Sequence, residues 1–184
     1  MPQRAVEDGG AVDVTALARA KMPDAALRAR VALRLGGEAD IASAVTTINE
    51  AYLREAWLLP PPRITDEALR AELRAPGAAL LIAEVDGTLA GCVRLRTGER
   101  DTYFGLLAVA KAQQGRGLAS LLIAQVEEMA RAAGSAAVRL DCAKENKLPP
   151  YYESLGYVVE REEPNSYYGT KGPITVTYMK KDLR

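Results

Sequence analysis

Apolar and polar positions alternate from Val31 to Leu35, with Val31, Leu33 and Leu35 set between Ala32 and Arg34. That period of two predicts a half-buried strand, and Gly36-Gly37 breaks it. Ile41, Val45, Ile48 and Tyr52 then recur at helical spacing and predict one face of an amphipathic helix, stopped by Pro60-Pro61-Pro62. Thr65 reads as the N-cap of a second helix with Asp66 and Glu67 in its first turn. Leu69 and Leu73 are its buried stripe, and Pro76-Gly77 is its end. Apolar runs from Ala79 to Glu84 and from Leu89 to Leu95 flank Asp86-Gly87, a hairpin signal. A third strand, Tyr103 to Val109, follows the turn at Thr97-Gly98. Gly117 to Ala133 reads as a long helix. Leu118, Leu121, Leu122, Val126 and Met129 share one face of it, and Glu127, Glu128 and Arg131 lie away from that face. Gly134 is its stop. The apolar segment Ala137 to Cys142 should run parallel to the strand before that helix and complete a β-α-β crossover. Pro149 to Leu155 is a short helix, and Tyr157–Glu160 and Ile174–Met179 are closing strands. Residues 1–26 read as an N-terminal extension, with a short helix from Val14 to Lys21. Residues 27–184 read as one domain.

Composition narrows the chemistry. The chain has 184 residues, with Lys plus Arg and Asp plus Glu at 24 each. No global charge draws it to nucleic acid or membrane, and the basic residues are scattered. There is no histidine, which removes the common zinc sites and the Ser/His and Cys/His nucleophile systems. No metal site is expected. Cys92 and Cys142 lack metal-ligand spacing and read as reduced, inert thiols. No apolar run approaches the ~18 residues of a membrane span, and the N-terminus lacks a signal-peptide core. Cytoplasm is the expected location.

The segment from Val109 to Ser120 carries the chemistry. A strand ends, a loop follows, and Gly115 and Gly117 open a helix whose first-turn amides have no internal partners. That arrangement suits a diphosphate, with Arg116 and Lys111 able to add charge. Two glycines could equally just shape a turn. The dinucleotide fingerprint shares these letters, with Asp141 at the end of the next strand as its ribose-binding acid. Against it, Ala110 to Gln114 separate the strand from the first glycine, and an antiparallel meander precedes the loop.

Gln114-Gly115-Arg116-Gly117-Leu118-Ala119 resembles the phosphate motif of the GNAT acetyltransferase superfamily. Tyr152-Glu153-Ser154-Leu155-Gly156-Tyr157 is similar to that family's second signature, and Asn146 lies upstream at nearly the usual offset. The resemblance covers about Arg30 to Leu183. It implies an α/β fold with a mixed, mostly antiparallel sheet splayed at the centre and flanked by helices. It implies acetyl-CoA as acyl donor and an amine acceptor, either a small molecule or a protein lysine or N-terminus. Leu107, Ala108 and Val109 would hold the pantetheine arm, the amides of Gln114 through Ser120 the diphosphate, and Asn146 the arm from the other side. Tyr152 would protonate the departing sulfur, while its neighbour Tyr151 packs in the core. Glu99 and Asp101 are candidate bases, with a water chain as the alternative. Tyr52 and Trp57 are candidates for the acceptor site, with Tyr167 and Tyr168 on a loop that could reach it. A non-catalytic coenzyme-binding module and a nucleotide-dependent oxidoreductase are the rival readings. Monomer and homodimer both stay open.

Overall fold

The computed structural model of the chain describes residues 21–165 and 171–183. Tyr167, Tyr168 and all but the last residue of the expected Val14–Lys21 helix lie outside the described residues. In chain order come α1 (Ala25–Arg28), β1 (Val31–Leu35), α2 (Ile41–Tyr52), α3 (Asp66–Leu73), β2 (Ala78–Val85), β3 (Thr88–Thr97) and β4 (Asp101–Val109). They are followed by α4 (Leu118–Ala132), β5 (Ala137–Ala143), α5 (Pro149–Ser154), β6 (Val158–Asn165) and β7 (Ile174–Asp182). The strands form one seven-stranded sheet in the order β1-β2-β3-β4-β5-β7-β6. Among the described residues β4 and β5 are the parallel pair and the other neighbours run antiparallel. This is the mixed, mostly antiparallel α/β sheet that the sequence predicts.

Helices cover both faces, which explains the unbroken apolar run in β2. Leu81 and Ala83 pack with Leu122, Ile123, Val126 and Ala130 of α4. Leu80 and Ile82 pack with Ile41, Ala44 and Ile48 of α2 and Leu69 of α3. A strand buried on both sides has no solvent face on which to alternate. Thr65 caps α3 as expected, with its Oγ1 accepting from the Ala68 amide at 3.2 Å.

The sheet is open at its centre. β4 and β5 pair only at Asp101–Ala137, Thr102–Val138 and Tyr103–Arg139, and past Tyr103 they separate. On its other side β4 carries a bulge. Gly105 faces Arg94 and Ala108 faces Cys92, so Leu106 and Leu107 together oppose Val93. Bulges bend a strand and sharpen its twist. Leu106 adopts φ +52°, a left-handed conformation that costs about 1–2 kcal/mol for a residue with a Cβ.

Glu127 departs from expectation. The helical repeat sets it away from the Leu122 stripe, yet it is buried. It accepts from Tyr157 Oη at 3.1 Å and from Lys181 Nζ at 2.8 Å. A cation arriving from β7 turns a solvent-facing position into an interior ion pair. Glu127→Ala should therefore leave an ammonium and a phenol without their acceptor. The expected cost is about 2–3 kcal/mol, below a fully buried pair because Lys181 keeps some solvent, and urea unfolding followed by circular dichroism measures it.

Candidate functional site

β4 ends at Val109, and a single 3-10 turn, Lys111–Gln113, leads to the glycines. Gln114 Nε2 donates to the Val109 carbonyl at 3.0 Å and ties the loop to the strand end. Gly115 and Gly117 adopt φ +70° and +90°, which glycine reaches without the penalty of a side chain. The first intrahelical bond of α4 runs from Leu121 N to Gly117 O at 3.1 Å. The amides of Leu118, Ala119 and Ser120 therefore sit ahead of the ladder, at the positive end of the helix.

A methyl group added at Gly115 would meet no atom within 4 Å. At Gly117 it would lie 2.5 Å from the Lys21 carbonyl oxygen and 2.5 Å from the Met22 carbonyl carbon. The backbone of Lys21–Pro23 thus crosses the start of α4, although the sequence assigns it to an extension. Asp24 anchors it by capping α1, its Oδ1 accepting from Leu27 N at 2.8 Å. Leu27 is buried with Leu118 and Leu121 of α4.

Two cavities meet where β4 and β5 part. The first, of about 250 Å³, runs from the α4 mouth along β4. Leu107–Val109, Gln114, Gly115 and Gly117–Ser120 line it, together with Lys21, Arg54, Glu55 and Tyr151. The second, of about 460 Å³, lies beyond the splay, with Arg63, Glu72, Arg94, Tyr103 and Asp141 in its wall. Tyr52, Leu107 and Tyr152 line both. A molecule lying along the first cavity would thus present its end to the second beside those three residues. Past Tyr103 the β4 edge has no β5 partner, so its backbone groups are available to an extended ligand.

Of the candidate residues, the structure gathers Tyr52, Leu107, Ala108, Val109, Gln114, Gly115, Gly117, Leu118, Ala119, Ser120 and Tyr152 around the first cavity. Arg116 lines neither cavity; it donates to Oε1 of Gln113, which lines the first. Asn146 lines neither cavity; it lies near Glu55, which lines the first, and favours that carboxyl's charged form against the effect of burial. Trp57 is exposed and lines neither cavity. Asp101 is ion-paired to Arg139 Nε at 2.8 Å and also lines neither. The reason is strand geometry. Residue 101 is in the zipped part of β4, and the six residues to Leu107 span roughly 20 Å at ~3.3 Å each. Glu99 lies in the preceding turn and is likewise absent from both cavities. Tyr151 is not purely core: its Oη is 3.0 Å from Ser120 Oγ and it lines the first cavity. Asp141 faces the second cavity and accepts from Tyr103 Oη at 2.7 Å, away from the role of a ribose-binding acid at the helix mouth. Sequence reasoning missed Lys21, Arg63, Glu72, Arg94 and Tyr103. Arg94 and Tyr103 did carry a weak signal, as polar residues inside otherwise apolar strands.

Burial dominates the electrostatics at the junction. Tyr152 is 7% exposed, and desolvation pushes its phenol well above the ordinary value, with Tyr52 and Cys142 adding to the effect. Its ring is fixed among Phe104, Tyr151 and Tyr157, with centroids 6.3, 5.3 and 6.1 Å away. Tyr52 and Tyr103 are also raised, mainly by burial, so all three phenols keep their protons. Burial raises the Glu55 carboxyl too. It pushes the Cys142 thiol up to about 12, which leaves that cysteine protonated and a poor nucleophile.

A family model described as an acetyltransferase (GNAT) domain matches residues 49–183. A search of the curated proteins returns no match. Among solved structures, the chain is similar to yncA, a putative acetyltransferase from Salmonella typhimurium solved with its cofactor acetyl-CoA. Identity is 22%, coverage is 84% of this chain and 95% of that one, and the TM-score is 0.68. The ribosomal-protein-S18-alanine N-acetyltransferase from Escherichia coli aligns at 17% identity over 83% and 94% of the two chains, with TM-score 0.70. A putative phosphinothricin N-acetyltransferase aligns at 19% identity over 84% and 99%, with TM-score 0.67. At these identities the likeness is one of fold. No helix among the described residues is long and apolar enough to cross a membrane.

Proposed function

The chain belongs to the GNAT acetyltransferase family, and from that premise we propose that it moves an acetyl group from acetyl-CoA directly onto an amine, with Tyr152 as the proton donor to sulfur. The observation that carries the reading is the meeting of the two cavities at Tyr52, Leu107 and Tyr152. One cavity fits a coenzyme, because it joins a helix mouth suited to a diphosphate to a strand edge suited to an extended arm. The other has room for an acceptor.

The acceptor nitrogen attacks the thioester carbonyl carbon. The C–N bond forms, the C–S bond breaks, and the Tyr152 phenol supplies the proton to the leaving sulfur. The nitrogen's own proton must pass to a base, either water or a carboxylate lining the cavities, Glu55 or Asp141. A backbone amide on the open part of β4 is suited to stabilise the developing oxyanion.

Lys21 belongs to the coenzyme cavity on this reading. With Arg54 it supplies positive charge to the cleft lined by the helix mouth, where phosphates would lie. Lys21→Glu should raise the dissociation constant for acetyl-CoA about fivefold to tenfold, as expected of one partly screened charge contact. Melting temperature and the acceptor KM should not change. Isothermal titration and initial rates measure these. The reading as a whole is tested by free-thiol release with acetyl-CoA and a panel of amines. Lack of coenzyme binding at millimolar concentration would exclude it.

A further inference from the structure

The second cavity contains more specific chemistry than a generic amine requires. Arg94 stands on β3, a central strand, with its side chain only 18% exposed, and it lines this cavity. Its guanidinium lies over the Tyr103 ring, 5.3 Å from the centroid. Nε is 3.0 Å from Glu72 Oε2, close enough for an ion pair. Its N–H does not point at that oxygen, and the atom is buried without a hydrogen bond. A buried Nε donor without an acceptor is costly, and the planar fork of this largely buried guanidinium matches a carboxylate. Space for that ligand depends on Gly105, where an added methyl group would lie 3.1 Å from Tyr103 Oη and 3.4 Å from Arg94 Nη2.

Opposite charge stands nearby. Asp141 accepts from Tyr103 Oη through Oδ1, leaving its other oxygen for an ammonium. Arg63 and Arg94 balance Glu72 and Asp141 among the lining residues. A polyamine would favour an acidic surplus, and a buried guanidinium would repel it. The lysine of a folded protein brings no anion for Arg94. A molecule carrying both signs satisfies both groups, and a cavity of about 460 Å³ is in the small-molecule range.

We propose that the acceptor is a small zwitterion, an amine that also bears a carboxylate in the manner of an α-amino acid, with the carboxylate on Arg94 and the ammonium beside Asp141. This rests on the acetyl-transfer reading above. Before the acceptor arrives, Glu72 serves as the counter-ion of Arg94.

The test is thiol release with acetyl-CoA and matched triplets: each of the twenty amino acids, its amide, and its decarboxylated amine. The acids should show KM at least tenfold below their amides and decarboxylated partners. Arg94→Gln should erase that preference without changing the dissociation constant for acetyl-CoA. Glu72→Gln, an exposed position on α3, should lower KM for the acids by removing the competing carboxylate, and it keeps the test open if Arg94→Gln does not fold. Equal turnover of acids and amides overturns the proposal. So does preference for a diamine or a peptide N-terminus, or turnover of no acid while acetyl-CoA still binds. Absence of acetyl-CoA binding would instead bring down the parent reading.

Discussion

Tyr152→Phe should lower kcat about 100-fold or more and leave the dissociation constant for acetyl-CoA unchanged. The variant loses one oxygen atom. The ring keeps its place among Phe104, Tyr151 and Tyr157, and among the described residues no hydrogen bond to that hydroxyl is lost, so the melting temperature should barely move. A positioned general acid contributes about 10²–10⁴ in rate, and that contribution should be lost from kcat rather than from binding. The pH profile gives a second check. Burial raises the phenol above the ordinary value of about 10, so the proton is retained as pH rises through the range where free tyrosine ionises. Wild-type kcat should show no loss from this group between about pH 8 and 10. Wild-type activity in the phenylalanine variant, or an alkaline limb near pH 8 that the variant abolishes, would remove Tyr152 from the proton-donor role.

Gly117→Ala should cost about 3 kcal/mol of stability and abolish measurable coenzyme binding, and comparison with Gly115→Ala isolates the cause. Both positions have positive φ, which costs about 1–2 kcal/mol for alanine. Only at Gly117 would the new methyl group also press on backbone, 2.5 Å from atoms of Lys21 and Met22. Overpacking of that kind adds roughly 1–3 kcal/mol. Either the Lys21–Pro23 segment lifts away or the start of α4 shifts, and both outcomes deform the first cavity. Gly115→Ala meets open space, so it should lose only the conformational part and weaken acetyl-CoA more than it weakens the fold. Chemical denaturation and calorimetry on the pair measure this. Equal losses for the two variants would show that the segment does not bear on Gly117.

Part of the molecule was open to a reading of the letters alone. The stripe Ile41, Val45, Ile48 and Tyr52 predicts α2. Asp86-Gly87 predicts the β2–β3 hairpin. The two glycines after Val109 predict a helix mouth with free amides. Each signal is local, and each depends on periodicity or on a backbone conformation that few residues adopt. The sequence predicts that β6 ends at Glu160, whereas it extends to Asn165. Its charged run lacks an apolar period, and it is held by partners from distant segments: Arg161 stacks on the Tyr178 ring at 3.7 Å, and Glu162 accepts from Lys144 at 2.7 Å.

The sequence by itself determined most of the elements, their order and the glycine-marked mouth of α4, because turn chemistry and hydrophobic period act over a few neighbouring residues. Tertiary structure alone decided where β4 leaves β5, and that divergence separates Asp101 from the site while bringing Arg94, Tyr103 and Asp141 around one cavity. It also decided that Lys21–Pro23 lies across Gly117 and that Glu127 is buried against Lys181 and Tyr157. These contacts join residues tens of positions apart, and they form only when the sheet register and the packing of both helical layers are set together.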